Sequence, residues 1–271
     1  MRRFSWFNAT SLALGFAFLY LPMFILIVYS FNASKLVTVW AGFSTKWYGE
    51  LIRNEAFLDA AWVTLRVALI SSTIATVLGT MAAYTMVRVG RFPGRTLFSG
   101  MIYAPLVMPE VITGLSLLLL FIAIGLDRGI TTIVLAHTTF SMCYVSVVVS
   151  SRLTTFDQSL EEAALDLGCS PLDAFLSVTL PVIAPAVIAG WLLAFTLSLD
   201  DLVIASFTSG PSATTLPIKV WSSIRLGVSP EINALSTILI SIVAFGVVTA
   251  SLITKRAAVV RAREERLAEL S

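Results

Sequence analysis

Six long apolar runs constrain what this chain can fold into more than any other feature of its sequence. A helix needs about 20 apolar residues to cross the ~30 Å hydrocarbon core of a bilayer. We place the runs at residues 12–31, 67–87, 97–124, 130–150, 182–207 and 235–254. Only 13% of the 271 residues are charged, too few to cover a soluble fold of this size. The sequence therefore predicts an all-α integral membrane protein with six transmembrane helices, and argues against a soluble enzyme, a disordered chain or a nucleic-acid binder.

The distribution of Lys and Arg between the runs predicts the orientation of the chain. Counting the flanks of alternate runs gives eleven basic residues on one side and seven on the other. Cytoplasmic loops carry the excess of Lys and Arg. Both termini are therefore expected in the cytoplasm. The segment 38–48, which contains Trp47, is expected on the outer face.

Three carboxylates interrupt the apolar runs. Glu110 follows Pro105 and Pro109, which we expect to break the third run so that Glu110 starts a new half-helix. Asp200 and Asp201 lie in the fifth run, which we interpret as one continuous helix presenting acid over a broad arc, with the hydroxyl of Ser198 beside them. A carboxylate in a membrane span usually faces the bundle interior or a transport pathway. Acids and hydroxyls without Lys or Arg in these spans favour a cationic substrate.

The histidine and the two cysteines do not have the spacing of a metal site or of a disulfide framework. His137 is the single histidine, and Cys143 and Cys169 stand alone, so we assign His137 and Cys143 to packing. The sequence predicts neither a metal site nor a catalytic residue.

Residues 151–181 form the one long polar segment between runs, and the orientation places it in the cytoplasm. Ser159 with Glu162 has the spacing of a capping box, Gly168 suits a left-handed helix end, and Ser170 with Pro171 can start a second helix. Pro181 is expected to stop that helix. The five acids of the segment, Glu161 among them, predict a negative outer face. We expect two short helices meeting at a glycine on the membrane surface.

The spacing within this segment resembles the EAA loop of ABC importer permeases. Glu162, Ala163 and Ala164 are followed by three residues and Gly168, then by nine residues, Val178, one residue, and Leu180 with Pro181. The family has Ile where this chain has Val178. The resemblance implies a type I importer permease of the MetI-like fold whose loop seats in a groove of an ATPase subunit. Glu162, Ala163, Ala164, Gly168, Leu180 and Pro181 are then the coupling residues.

Further segments extend the resemblance to permeases of the putrescine/spermidine type. These are residues 35–42, 44–51, 104–114, 197–207, 210–211, 213–217 and 230–234. Residues associated with polyamine passage in that family match Trp47, Glu110, Ser198, Asp200 and Asp201, although the family often has Asp at the position of Glu110. The resemblance implies a second, different permease, two copies of an ABC ATPase and a periplasmic polyamine-binding protein as partners. It implies no cofactor in this chain, because ATP and Mg²⁺ belong to the ATPase.

The resemblance also predicts the division of the chain. Residues 1–57 would form a cytoplasmic tail, the first transmembrane helix and a periplasmic segment. Residues 58–254 would form the five-helix ABC transmembrane type-1 domain with the loop 159–181, and residues 255–271 a cytoplasmic tail.

Two other functional classes stay open on the residues alone. The chain could be an ABC importer permease for another small cation or for an amino acid. It could also be a proton-coupled secondary transporter that uses Glu110, Asp200 and Asp201 as a relay. The second class leaves the EAA-like loop unexplained.

Overall fold

The computed structural model describes residues 6–36, 39–227, 229–246 and 248–249. Nearly all of the regular structure in these residues is helical, as the composition predicts. The helices are α1 Trp6–Ser30, α2 Lys46–Arg53, α3 Glu55–Arg88, α4 Arg95–Val107, α5 Glu110–Ala123, α6 Ile130–Thr155, α7 Ser159–Asp166, α8 Pro171–Ala174, α9 Leu180–Asp200, α10 Val203–Thr208, α11 Leu216–Leu226 and α12 Pro230–Gly246. A π-helical segment, Phe175–Thr179, joins α8 to α9.

Four of these helical stretches are long and apolar enough to cross a membrane, and the bent pair α4 and α5 makes a fifth if it counts as one span. They match the first five apolar runs. The sixth run, 235–254, lies partly outside the described residues, and the part within them belongs to the shorter apolar helix α12. The described structure therefore accounts for four or five of the six predicted spans. The expected cytoplasmic tail, 255–271, also lies outside the described residues.

The third run is broken at Met108 and Pro109. Helices α4 and α5 meet there at 118°. Met108 is extended (φ −76°, ψ 137°), the conformation favoured before Pro109 because the proline ring disfavours the helical region for the residue before it. Pro105, which we expected to contribute to the break, lies inside α4. The prediction that Glu110 starts the new half-helix is confirmed.

The fifth run is not one helix, so that prediction is wrong. Helix α9 ends at Asp200, and Asp201 is extended (ψ 121°) before α10 begins at Val203. Asp200 and Asp201 therefore do not present their carboxylates from a common helix.

The chain divides into two compact units, one of residues 56–222 and one of residues 1–55 with 223–271. In the first unit, Val145 of α6 is fully buried between two glycines. A Cβ atom on Gly79 of α3 would lie 2.8 Å from Val145 Cβ, and one on Gly190 of α9 would lie 3.2 Å from Val145 Cγ1. Small residues let membrane helices approach closely in this way. Helices α3 and α9 therefore both pack closely against this one side chain of α6.

In the second unit, Asn32 organises the segment between α1 and α2. Its side-chain amide donates to Val39 O at 2.7 Å, and its Oδ1 accepts the backbone N–H of Ala41 at 2.9 Å. Asn32 is almost completely buried, so these bonds satisfy an amide that would otherwise be costly to remove from water. The turn that results carries the chain from the end of α1 to Trp47.

Candidate functional site

A buried hydrogen-bonded chain links four helical elements at the point where the fifth run breaks. His137 of α6 contacts Ser198 Oγ through Nδ1 at 2.6 Å and Asp201 Oδ2 through Nε2 at 3.0 Å. Ser198 in turn accepts a hydrogen bond from the hydroxyl of Ser71 of α3 at 3.2 Å. We assign the imidazole proton to Nε2, because this tautomer gives each of the three contacts one donor and one acceptor. The Ser71 hydroxyl then donates to Ser198, the Ser198 hydroxyl donates to His137 Nδ1, and His137 Nε2–H donates to the Asp201 carboxylate. His137 is therefore part of a polar network, and the prediction that it serves packing alone is wrong.

Asp201 also caps the short helix that follows the break. Its Oδ2 accepts the N–H of Ala205 at 2.7 Å, and its Oδ1 accepts the N–H of Ile204 at 3.3 Å. A carboxylate is favoured at a helix N-terminus because it satisfies N–H groups that have no partner within the helix. With His137 as a third partner, only 11% of the Asp201 side chain is exposed. Its carboxylate is thus fully engaged within the chain.

Asp200 and Glu110 differ from Asp201 in that both are exposed. Among the described residues, neither carboxylate forms an ion pair or a hydrogen bond to another residue. Gly114, four residues after Glu110, approaches Ile204 so closely that a Cβ atom there would lie 3.4 Å from Ile204 Cα. The first turns of α5 and α10 are therefore neighbours, and each follows a break in a membrane span.

Trp47 belongs to the other compact unit. It is 3% exposed, and its indole Nε1 donates to Asn32 O at 2.6 Å. The ammonium of Lys46 lies 4.4 Å from the centroid of the Trp47 ring. A face of this ring thus already holds a cation.

The EAA-like loop begins with α7 and turns at Gly168. Gly168 is left-handed (φ 92°), as predicted, and Cys169 N–H bonds back to Ala164 O at 3.1 Å across the end of α7. Ser170 then caps α8 by accepting the N–H of Asp173 at 3.2 Å, with Pro171 in the first turn, which is also confirmed.

Two other predictions for this loop are wrong. Ser159 is the first residue of α7 rather than its cap, and Asp157 takes the capping role by accepting the N–H of Ser159 at 3.0 Å. This hydrogen bond holds the pKa of the Asp157 carboxyl below its usual value. Pro181 does not stop the helix, because the π turn before it, in which Leu180 N–H bonds to Phe175 O, widens the backbone and lets the chain run on to Asp200.

Glu161 points inward, whereas the other four acids of the segment are exposed as expected, namely Asp157, Glu162, Asp166 and Asp173. Glu161 is 7% exposed, accepts a hydrogen bond from the Tyr84 hydroxyl, and lies 3.4 Å from Arg88 Nε. The outer side of the loop therefore carries exposed apolar side chains beside these acids. Its exposed residues include Leu160, Glu162, Ala163, Leu165, Leu167 and Leu172.

The sequence contained a signal for His137 that spacing rules did not use. An ionisable residue inside a membrane span is a candidate functional residue whatever its neighbours are. Applied to residues 130–150, this criterion selects His137. Arg88 and Tyr84 carry no such signal, because their partner Glu161 lies more than 70 residues further along the chain.

Comparison with known proteins identifies the class. The profile of the family described as binding-protein-dependent transport system inner membrane component matches residues 75–258. The chain belongs to this family and is a multi-pass inner membrane transport subunit rather than an enzyme. It is 61% identical over 238 residues to the putrescine transport system permease protein PotI of Escherichia coli K12, covering 86% of this chain and 85% of that protein. It is 43% identical over 240 residues to the spermidine/putrescine transport system permease protein PotC of the same organism, covering 89% and 90%.

Solved structures share the fold at low sequence identity. A chain of a bacterial ABC transporter involved in the import of the acidic polysaccharide alginate superposes with a TM-score of 0.71 at 17% identity, covering 90% of this chain and 93% of that one. A chain of the MetNI methionine ABC transporter in an inward-facing conformation gives 0.58 at 16% identity, covering 72% and 92%. The ABC importer permease fold expected from the EAA-like loop is therefore confirmed.

Proposed function

We propose that this chain is a permease subunit of an ATP-driven polyamine importer, with putrescine as its preferred substrate. The observation that carries the proposal is the pair of exposed carboxylates, Glu110 and Asp200, each at a break in a membrane span. Similarity to PotI over 86% of the chain supports the same substrate class. Putrescine carries two ammonium groups on a four-carbon stem, and each needs acceptors that replace lost water.

The breaks themselves support a transport pathway. Backbone N–H and C=O groups freed at a break cannot face lipid, because no water is available there to bond to them. Such breaks are tolerated where they are buried in protein or line a water-filled cavity. Glu110 and Asp200 therefore belong to the protein-enclosed or water-filled side of the subunit, where a cation can reach them.

The three acids take different parts in this proposal. Glu110 and Asp200 bind the ammonium groups transiently, since neither has a partner among the described residues. Asp201 and Ser198 bind His137 and thereby stabilise the break between α9 and α10. The charge of Asp201 also adds negative potential to the pathway. Weak binding suits the task, because a pathway must release what it admits.

Trp47 acts earlier in the proposal, on the outer face. The Lys46 ammonium at 4.4 Å from the centroid of its ring supports this role, because a cation is attracted to the face of an indole. A substrate ammonium arriving from the binding protein would take that place by displacing Lys46.

The EAA-like loop docks on the ATPase in this proposal and couples ATP hydrolysis to transport. Its exposed apolar face, with Leu160, Leu165 and Leu172, offers the surface that a groove would cover, and Glu162, Ala163 and Ala164 lie on the same loop. Gly168, Leu180 and Pro181 set the angle at which the loop joins α9. The helix α7 would then be the cytoplasmic coupling helix, and ATP and Mg²⁺ would be bound by the partner.

The membrane arrangement follows from the same proposal. Six spans place both termini in the cytoplasm, with residues 58–254 as the type-1 transmembrane domain between the N-terminal part, 1–57, and the tail, 255–271. The chain pairs with a different permease, two ATPase copies and a periplasmic polyamine-binding protein. We expect these partners to co-purify with it. A transport-competent homodimer without an ATPase would contradict this assembly.

Uptake by the purified complex in proteoliposomes tests the substrate. Radiolabelled putrescine is imported in the presence of ATP and the binding protein, with spermidine and arginine as unlabelled competitors. We expect putrescine and then spermidine to compete, and arginine to have little effect. Glu110→Gln keeps the shape of the side chain but removes its charge, and uptake should fall about tenfold or more since charged hydrogen bonds contribute about 1.5–3 kcal/mol. Competition by arginine alone, or wild-type uptake by Glu110→Gln, would refute the polyamine pathway.

A further inference from the structure

A buried ionic cluster joins the EAA-like loop to the membrane helices at one place. Glu161 accepts a hydrogen bond from the Tyr84 hydroxyl through Oε1, and its Oε2 lies 3.4 Å from Arg88 Nε. Their side chains are nearly buried, with 9% of Arg88 and 10% of Glu161 exposed. Burying two charges is costly unless they stay paired, so this contact resists separation.

The same cluster binds the segments on both sides of α7. Arg88 donates to Phe156 O at 3.4 Å, and its guanidinium lies 5.3 Å from the centroid of the Phe156 ring, just before α7. The Tyr84 ring packs edge-on against Phe175 of the π segment, just after it, with 5.0 Å between ring centroids. The end of α3 therefore contacts the segment before α7, α7 itself and the π segment that follows α8.

Helix α3 leads from this cluster to the candidate substrate site. No proline interrupts the helix between Arg88 and Ser71, and seventeen residues at 1.5 Å each make that distance about 25 Å. At its far end the Ser71 hydroxyl bonds to Ser198, which contacts His137 and through it Asp201. One continuous helix thus contacts both the loop and the network at the break.

From these contacts we infer that Glu161, Arg88 and Tyr84 are positioning residues that pass movement of α7 to α3, and through α3 to the break at Asp201. The inference rests on the proposed function, in which the ATPase moves the loop. Without the cluster, α7 would move with the ATPase while α3 stayed in place. ATP would then be hydrolysed without import.

The first test measures coupling in the reconstituted complex. Glu161→Gln should assemble and hydrolyse ATP on addition of the putrescine-loaded binding protein, but import about tenfold less putrescine per ATP, because the Arg88 charge loses its partner. Asp166→Asn, the same change at an exposed acid of α7, is the matched control and should couple normally. Exchanging the charges, with Arg88→Glu and Glu161→Arg together, should recover part of the loss seen in Glu161→Gln. Normal coupling by Glu161→Gln, or a double variant no better than Glu161→Gln, would overturn the inference.

The second test does not depend on the substrate. Spin labels at Asp166→Cys of α7 and Val89→Cys at the end of α3, with Cys169→Ser to remove the exposed native thiol, report the distance between the two elements. We expect one narrow distribution with and without ATP, and a broad one once Glu161→Gln is added. An equally narrow distribution in the variant would overturn the inference. If the wild type imports no putrescine yet shows these distances, the proposed substrate fails and the positioning role stands.

Discussion

Asp200 and Asp201 are adjacent, yet the structure gives them different surroundings, and the same substitution should separate their roles. Asp201→Asn keeps the size of the side chain but removes the charge that accepts from Ala205 N–H at 2.7 Å and from His137 at 3.0 Å. Asp200→Asn makes the same change at an exposed carboxylate. The pair therefore forms its own matched control.

The magnitude follows from the bonds of Asp201. A hydrogen bond to a charged group contributes about 1.5–3 kcal/mol and a neutral one about 0.5–1.5 kcal/mol, so each bond should weaken by about 1 kcal/mol. The two short bonds together give a loss of about 2 kcal/mol in the free energy of unfolding for Asp201→Asn. Asp200→Asn breaks no such bond and should leave stability within about 0.5 kcal/mol of the wild type.

Two assays on the same purified complexes check this. Titration with a denaturing detergent measures the free energy of unfolding, and proteoliposome uptake measures transport of putrescine. We expect Asp201→Asn to lose stability, and Asp200→Asn to keep stability while uptake falls about tenfold or more. If Asp201→Asn is as stable as the wild type, or Asp200→Asn imports putrescine normally, the assignment of the two acids is refuted.

Three further predictions concern the loop and the packing of α3. Gly168→Val should lower the putrescine imported per ATP, because a β-branched residue at φ 92° strains the turn by roughly 1–3 kcal/mol even though the space around Gly168 is open. Gly168→Asn should keep most of the import per ATP, since Asn tolerates a left-handed helix end. Equal import per ATP by the two variants would contradict a role for the turn. Gly79→Ala would put a Cβ atom 2.7 Å from Met142 O and should destabilise the complex by roughly 1–3 kcal/mol. Gly49→Ala is the control and should leave stability unchanged, because the space around Gly49 is open. Titration with a denaturing detergent compares the two variants, and equal stability would contradict the close packing of α3. Because the pKa of the Asp157 carboxyl is lowered, its hydrogen bond to Ser159 N–H should persist at every pH above 3.8 and be lost as the pH falls through the lowered pKa. Hydrogen exchange of the Ser159 amide measures this bond. Loss of protection at a pH above 3.8 would refute the prediction.

Local rules predicted the parts of the fold that depend on neighbouring residues. The break before Glu110 follows from the ring of Pro109 acting on Met108, and the turn at Gly168 follows from the absence of a side chain at φ 92°. The apolar runs predicted where the helices lie because hydrocarbon thickness fixes their length. Each of these causes operates within a few residues.

The parts that were predicted wrongly depend on residues far along the chain. The break at Asp201 is stabilised by His137, 64 residues earlier, and an apolar run with one acid pair gives no sign of it. Glu161 turns inward because its partners Arg88 and Tyr84 lie at the end of α3, more than 70 residues earlier in the chain. In both cases a partner far along the chain fixes the position of an acid that local rules placed elsewhere.

The π segment Phe175–Thr179 gives the subunit a place where the chain length can change without turning the EAA-like loop. A π turn holds about one residue more than an α-helical turn. Four residues of α-helix turn the chain by about 400°, roughly as far as the five residues of this segment do in π form. Deleting one residue between Phe175 and Thr179 would therefore let the segment wind as ordinary α-helix while the face of the loop that carries Leu172 kept its direction. The same deletion within α9 would turn that face by about 100° around the helix axis.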